Sequence, residues 1–567
     1  MGLATAAVAR RRASGWTVAG VAVAVAVAAP LLVLPLSFVA EPGALGELPG
    51  SLLPDALRRS LVLALGVGLG TLLLGGLLAA LVSFYDFPGR RWLDWALILP
   101  LAMPGYVLVF VLLGQYDASS PLQRGLRSVF GSDFQLPEIR TTLGTIVVLT
   151  LVLYPYVYAL ARAAFLGQAR DVLEAARSLG MSYGLALLRV ALPLARPALA
   201  AGVALAVMEA LADFGTVNLL GYRAMTDAIY KVWYGTYDQA AAVQLAMVLV
   251  SLTFALVVLE RLLRGRARHL GAQARGEAVV PRRLRGPAAW LACLLPALLL
   301  VVVLVAPVVQ LVAWSVESLG EGAAAADLGE AAALTVLLAT IAALVTLVGA
   351  VLIVYGRRRR SSPASRLSVR LGAIGYAVPG TVVAVAVYVP LAWTDHRLND
   401  AFDALLGIDV GLIVTGTILG LVAAYVVRFM ALAILAVDTR MSRLDDSLDD
   451  AARSLGASPG RVLNEVHLPL LWPGLVTAAL LVFVEVMKEL PATALLRPLG
   501  GDTLAVAVWE ATKDSRFDTA ALPALLIVLV GLVPVIVMVR LTRSVALERG
   551  LTAPPPDPPG PSATSAT

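Results

Sequence analysis

Apolar residues gather along this chain in runs of about twenty or more, separated by short polar connections. A helix of that length crosses the ~30 Å hydrocarbon core of a bilayer, and only helices or closed barrels satisfy every backbone group there. Barrel strands would alternate in hydrophobicity, and these runs do not. They lie at about 16–40, 56–83, 93–115, 141–165, 195–220 and 240–263, then at about 288–316, 330–356, 368–393, 411–437, 471–496 and 519–545. The pattern predicts an all-α membrane protein with twelve transmembrane helices, so both termini share one side of the membrane.

The connections indicate which side. Arg10, Arg11 and Arg12 precede the first run, Arg90 and Arg91 follow the second, and Arg357 to Arg360 follow the eighth. Between the sixth and seventh runs lies the most basic stretch, RLLRGRARHLGAQARGEAVVPRRLRG, and Arg540, Arg543 and Arg549 close the last. Alternate connections are acidic or mixed, with Glu317, Glu321, Asp327 and Glu330 in one and Asp395, Asp400, Asp403 and Asp409 in another. By the positive-inside rule both termini are expected in the cytoplasm. An arginine-rich start also suits a cleaved signal, but losing the first run would break this agreement, so the run is expected to stay.

The pattern also repeats. EAARSLGMSYGLALLRVALPLARPAL (174–199) aligns without a gap on DAARSLGASPGRVLNEVHLPLLWPGL (450–475), and Met103-Pro104-Gly105 aligns on Val378-Pro379-Gly380 at nearly the same offset. Six runs per unit is an even number. The two copies should therefore be parallel and related by a pseudo-twofold axis along the membrane normal. The expected division is a first six-helix repeat at 1–263, a basic cytoplasmic linker at 264–287, a second repeat at 288–545, and a disordered tail at 546–567, rich in proline and serine.

Composition agrees: 59% of the 567 residues are hydrophobic and 14% charged, too few to cover a soluble surface of this length. The net charge of +6 is spread over orientation signals and forms no basic face for nucleic acid. Cys293 has no cysteine to pair with, and His269, His396 and His467 are too scattered for metal-ligand spacing. The only lysines are Lys231, Lys488 and Lys513, none preceded by glycine, so no G-x-x-x-x-G-K-[ST] phosphate loop exists in the chain. With no visible nucleophile or acid–base set either, the chain reads as a conduit and not an enzyme.

Two constellations carry candidate chemistry. The first is the repeated polar segment, expected as a cytoplasmic helix–turn–helix between the fourth and fifth spans of each half. Glu174, Ala175 and Ala176 start one helix and Gly180 breaks it; Asp450, Ala451, Ala452 and Gly456 repeat the arrangement. Small alanines admit a partner surface, glycine permits the turn, and the later Pro193 and Pro469 are expected to stop the helix before the bilayer. The second is a set of carboxylates in the fifth and eleventh spans. Glu209 and Asp213 are four apart, as are Glu485 and Glu489, which puts each pair on one face of a continuous helix. Charge costs about 2.5–3.5 kcal/mol per residue in the bilayer centre, so such groups usually face a cavity. They are expected to line a pathway for a hard cation or a positively charged molecule, or else to be structural, with Lys488 neutralising Glu485.

The repeated segment resembles the E-A-A-x3-G-x9-I-x-L-P coupling loop of bacterial ABC importer permeases, with Val190 for isoleucine in one copy and Asp450 for glutamate in the other. That resemblance implies a type I importer-like fold in the bacterial plasma membrane. It also implies two copies of an ABC ATPase subunit holding ATP and Mg, an extracytoplasmic substrate-binding protein, and no cofactor on this chain. In that family the loop passes closure of the ATPase to the membrane helices. Residues 212–246 and 482–535 look like the fused permeases of ferric iron importers, which implies Fe3+, often with an anion, as cargo. Related permeases for thiamine, aminophosphonate or polyamines are the neighbouring readings. A gradient-driven secondary transporter would not need the paired loops.

Overall fold

The computed structural model describes residues 15–117, 120–168, 170–264, 281–320, 325–409, 411, 413–498 and 500–548. Most of the expected linker (264–287), nearly all of the expected tail (546–567), Arg10 to Arg12 and His269 lie outside them. The described chain is almost wholly helical. Ten helices are long and apolar enough to cross a membrane, and an eleventh span is made by Arg90–Ala102 and Gly105–Tyr116, bent by 90°. The remaining expected run, 368–393, is divided among Pro363–Gly372, the 3-10 turn Ile374–Ala377 and Gly380–Leu406.

These broken third and ninth spans have one cause. In Met103-Pro104-Gly105 and Val378-Pro379-Gly380 the residues before glycine are extended, with ψ between 105° and 145°. Proline has no N–H to give and disfavours helix in the residue before it, so one helix ends and the next begins at glycine. This is a full break and not a kink.

The first helix of the chain packs on the opposite half. Gly15–Val33 lies against the eighth span, Ala325–Arg359, at two bare contacts: a Cβ on Gly20 would meet the Leu352 carbonyl, and one on Gly356 the Trp16 backbone. The Thr17 hydroxyl donates to the Gly356 carbonyl at 3.1 Å. The Ala306–Gly320 helix packs chiefly on the Phe517–Glu548 helix of its own half and reaches the other half at Gly105–Tyr116, where Trp314 fills the space beside Gly114. In lipid, association depends on close van der Waals fit and not on hydrophobic drive, so small residues mark these seams. The Gly66-x-Gly68-x-Gly70 stripe obeys the same rule. Gly66 and Gly70 meet Ile146 and Thr150 of the fourth span, and Gly68 meets Val207 of the fifth.

Tyr106 and Tyr388 also join the halves. Tyr106 is buried and its hydroxyl donates to the Lys488 carbonyl at 3.4 Å, while Tyr388 packs edge-on to Trp233 at 4.7 Å.

Candidate coupling hairpins and intramembrane carboxylate cluster

The two hairpins have one backbone. The helices Arg170–Ser178 and Asp446–Ser454 both end on a left-handed glycine, Gly180 at φ +86° and Gly456 at φ +80°. Gly180 N–H donates to Arg177 and Met181 N–H to Ala176; Gly456 N–H donates to Arg453 and Ala457 N–H to Ala452. This pair of bonds closes the helix C-terminus by satisfying its orphan carbonyls. A Cβ on either glycine would meet nothing, so backbone conformation and not space demands glycine.

Within the hairpins, Glu174, Ala175, Asp450 and Ala451 face outward. Ala176 is buried and Ala452 half-buried, so their small size serves packing inside the chain. Leu179 and Leu455, 82% and 88% exposed, form the tips. Asp445 caps the second hairpin helix, and the Ser447 N–H it accepts at 2.9 Å holds its carboxyl below the usual range.

Pro193 and Pro469 do not stop their helices. A π-turn precedes each, Leu187–Ala191 and Val462–His467, and the helix continues into Leu192–Ala212 and Leu468–Met487. The widened turn absorbs the missing N–H and the ring. Each hairpin therefore runs through an unbroken helix to the carboxylates.

There the sequence expectation needs correcting. The helices stop at Ala212 and Met487, so Asp213 and Glu489 are not on the same helix face as Glu209 and Glu485. Both have become caps of the short helices that follow. Asp213 accepts the Thr216 N–H at 2.7 Å and its hydroxyl at 2.8 Å. Glu489 accepts the N–H groups of Ala492 and Thr493 at 2.8 and 3.0 Å and the Thr493 hydroxyl at 2.7 Å. A carboxylate accepting orphan N–H groups at a helix start is favoured on its own account. The two glycines of the broken spans press on these caps. A Cβ on Gly105 would strike the Thr216 hydroxyl and crowd the Asp213 carboxylate, and one on Gly380 would strike Arg428 and Glu489.

Glu209 and Glu485 instead face each other's half across a cavity of about 30 Å³, walled also by Leu205, Met208, Ala377, Val378, Arg428 and Phe429. That is room for one or two waters. Lys488 Nζ lies 2.8 Å from Glu485 Oε1. Glu209 makes no hydrogen bond or ion pair with any described residue. Arg428, from the middle of the tenth span, places Nη1 3.2 Å from Glu489 Oε1. Its role is not apparent from motif reading, yet a lone arginine inside an apolar run is itself a signal. Among the described residues no group of three or more His, Cys, Asp or Glu side chains is arranged to hold a metal ion.

Residues 72–269 and 346–547 each match the family described as binding-protein-dependent transport system inner membrane component. An Fe(3+)-transport system permease protein, FbpB 2, of Haemophilus influenzae is 26% identical over 85% of this chain and 89% of its own length. A probable ABC transporter permease protein of Sinorhizobium fredii is 23% identical over 80% of both. A putative 2-aminoethylphosphonate transport system permease protein of Salmonella paratyphi A reaches 37% identity, but over 23% of this chain and 47% of its own.

Proposed function

We propose a ferric-iron role for this chain, which belongs to the family of binding-protein-dependent transport system inner membrane components. In this reading it is the permease of an ATP-binding-cassette importer, and Fe3+ or an Fe3+–anion complex is its cargo. Two ATPase subunits, carrying ATP and Mg, dock on the two hairpins, and an extracytoplasmic binding protein delivers the cargo. Both termini then lie in the cytoplasm of a bacterial cell, as the loop arginines suggest.

The observation that carries this reading is the repeated continuity from hairpin to carboxylate. Each tip leads through a π-turn and an unbroken helix to a glutamate on the cavity wall, Glu209 in one half and Glu485 in the other. A rigid helix carries a displacement of its hairpin to its far end. Closure of the ATPase pair would thus move the two glutamates relative to one another and open the cavity. Four carboxylates against two cations make the surroundings acidic, which suits a hard cation that seeks oxygen ligands.

The test is uptake into proteoliposomes holding this chain and its ATPase, with binding protein and radiolabelled ferric iron supplied outside. ATP-dependent iron uptake is expected, and E209Q and E485Q should each slow it. Stimulation by a binding protein loaded with thiamine, an aminophosphonate or a polyamine, and not with iron, would reassign the cargo. Uptake by this chain alone on an ion gradient would overturn the importer reading itself.

A further inference from the structure

Arg428 stands out because the work beside it gets done without it in the other half. Asp213 and Glu489 perform the same task, capping the short helix after the break. Glu489 does so with a guanidinium at 3.2 Å. At the repeat offset, the position of Arg428 in the first half is Val152, and Asp213 caps there with hydrogen bonds from Thr216 and no ion-pair partner among the described residues. A cap therefore does not need an arginine, and a permanent charge in the middle of an apolar span needs a reason.

The surroundings supply one. Arg428 shares the cavity wall with Glu209, which makes no hydrogen bond or ion pair with any described residue, and with Glu485, whose partner Lys488 is bound at one oxygen. Its guanidinium carries five N–H donors, of which the contact with Glu489 uses one. Room for it depends on Gly380, since any side chain there would collide with Nη1. The first-half glycine of the same motif, Gly105, leaves space for a hydroxyl and a carboxylate and for no cation.

We propose that Arg428 is a tethered counter-ion of the passage: its guanidinium holds the position a cationic cargo would take among Glu209, Glu485 and Glu489, and so bars small cations between transport cycles. The proposal rests on the cavity being the importer's passage, but not on iron being the cargo. Like charges cannot share the site, so the arginine must withdraw when the halves move apart. The passage then selects for a cargo whose charge can replace it, a multivalent cation or its complex. Arg428 is in this sense a specificity-determining residue that touches the path.

The experiment uses proteoliposomes containing this chain with its ATPase partner, without ATP or binding protein, and Mn2+ outside. Entry is read by quenching of entrapped calcein. Wild type should leak no faster than protein-free vesicles. The double variant R428Q/E489Q removes the ion pair together while an amide oxygen still caps the short helix, so it avoids a stranded buried charge. It should leak at least about tenfold faster, the scale on which an acidic cleft concentrates cations. Adding E209Q should remove most of that leak, and R428K, which keeps the charge, should stay tight. A double variant as tight as wild type, or a leak indifferent to E209Q, overturns the proposal. Iron uptake is measured separately, so loss of the iron reading alone would leave this leak pattern intact.

Discussion

The two hairpins share a backbone and stand on different foundations. Beneath the first, Leu173 and Ala191 are buried, the Gln168 amide donates to the Ala191 carbonyl at 2.9 Å, and Tyr183 donates to the Phe84 carbonyl at 3.0 Å. The linker's end joins this base, because Arg282–Arg283 pairs in parallel with Tyr85–Asp86. At the repeat offset, Leu173 becomes Asp449 and Ala191 becomes His467. Arg358 donates to Asp449 at 2.7 Å and to the carbonyls of Met441, Leu444 and Asp445, and His467 Nε2 lies 3.1 Å from Asp449. The first helix covers this site through Trp16 and Tyr355. Local backbone bonds fix the hairpin in both copies, which leaves its attachment to the spans free to diverge. The first half settled on apolar packing, and the second on buried charge.

The largest expected effect breaks that second foundation. Arg358→Ala strands Asp449 beside a buried histidine, and losing one partner of a buried pair costs about 3–5 kcal/mol. The variant should lose ATP-driven uptake and release one of two ATPase subunits, read by native mass spectrometry of the complex. Leu173→Ala in the first half leaves a cavity but no stranded charge, and should lower the melting temperature while keeping both subunits. Equal subunit loss in the two variants would mean that the foundations work alike.

Next come the glycines pressed against the caps. Gly380→Ala and Gly105→Ala each force a methyl into filled space, at a cost of about 1–3 kcal/mol. The expected outcomes differ in kind. Gly380→Ala displaces the guanidinium of Arg428 and should raise passive Mn2+ leak, whereas Gly105→Ala disturbs a hydroxyl and a carboxylate but no cation and should only reduce uptake. Leak in both would remove the distinction between the halves at the cavity.

Much of this was legible in the sequence, because it is written in periodicity and spacing. The spans, the repeat and the hairpin turns follow from apolar runs and from two glycines at matching positions. The breaks after Ala212 and Met487 are not evident in the sequence, because a carboxylate four residues after another suggests a helix face before it suggests a cap. The missed signal was the threonine behind each, Thr216 and Thr493, which offers a hydroxyl to the cap. The crossing of the first helix onto the second half leaves no trace in one sequence, since apolar helices carry no code for their neighbours beyond small residues such as Gly20 and Gly356. Pro193 and Pro469 misled because a π-turn can absorb a proline that an α-turn cannot.

A smaller effect belongs to the hairpin glycines. Gly180→Ala and Gly456→Ala meet no neighbouring atom, so the cost is that of a left-handed backbone, about 1–2 kcal/mol each. Asparagine tolerates that conformation better and should recover part of the loss. ATPase activity that no longer responds to binding protein is the expected readout. Full coupling in both alanine variants would show that the turn need not be held open.

The smallest effect on stability, and the sharpest test of likeness, lies at the tips. Leu179 and Leu455 are largely exposed, so Leu→Asn at either should change stability by no more than about 0.5 kcal/mol. A large apolar side chain held in water at the tip of a rigid turn is suited to fill a pocket on a partner, and such anchors commonly dominate an interface. Each substitution should therefore weaken ATPase binding in a pull-down while the melting temperature holds. Because the two tips share one backbone, the two losses should be equal, whatever lies below them. If Leu455→Asn instead costs clearly more than Leu179→Asn, the charged foundation reaches the tip, and the copies differ in their grip as well as in their footing.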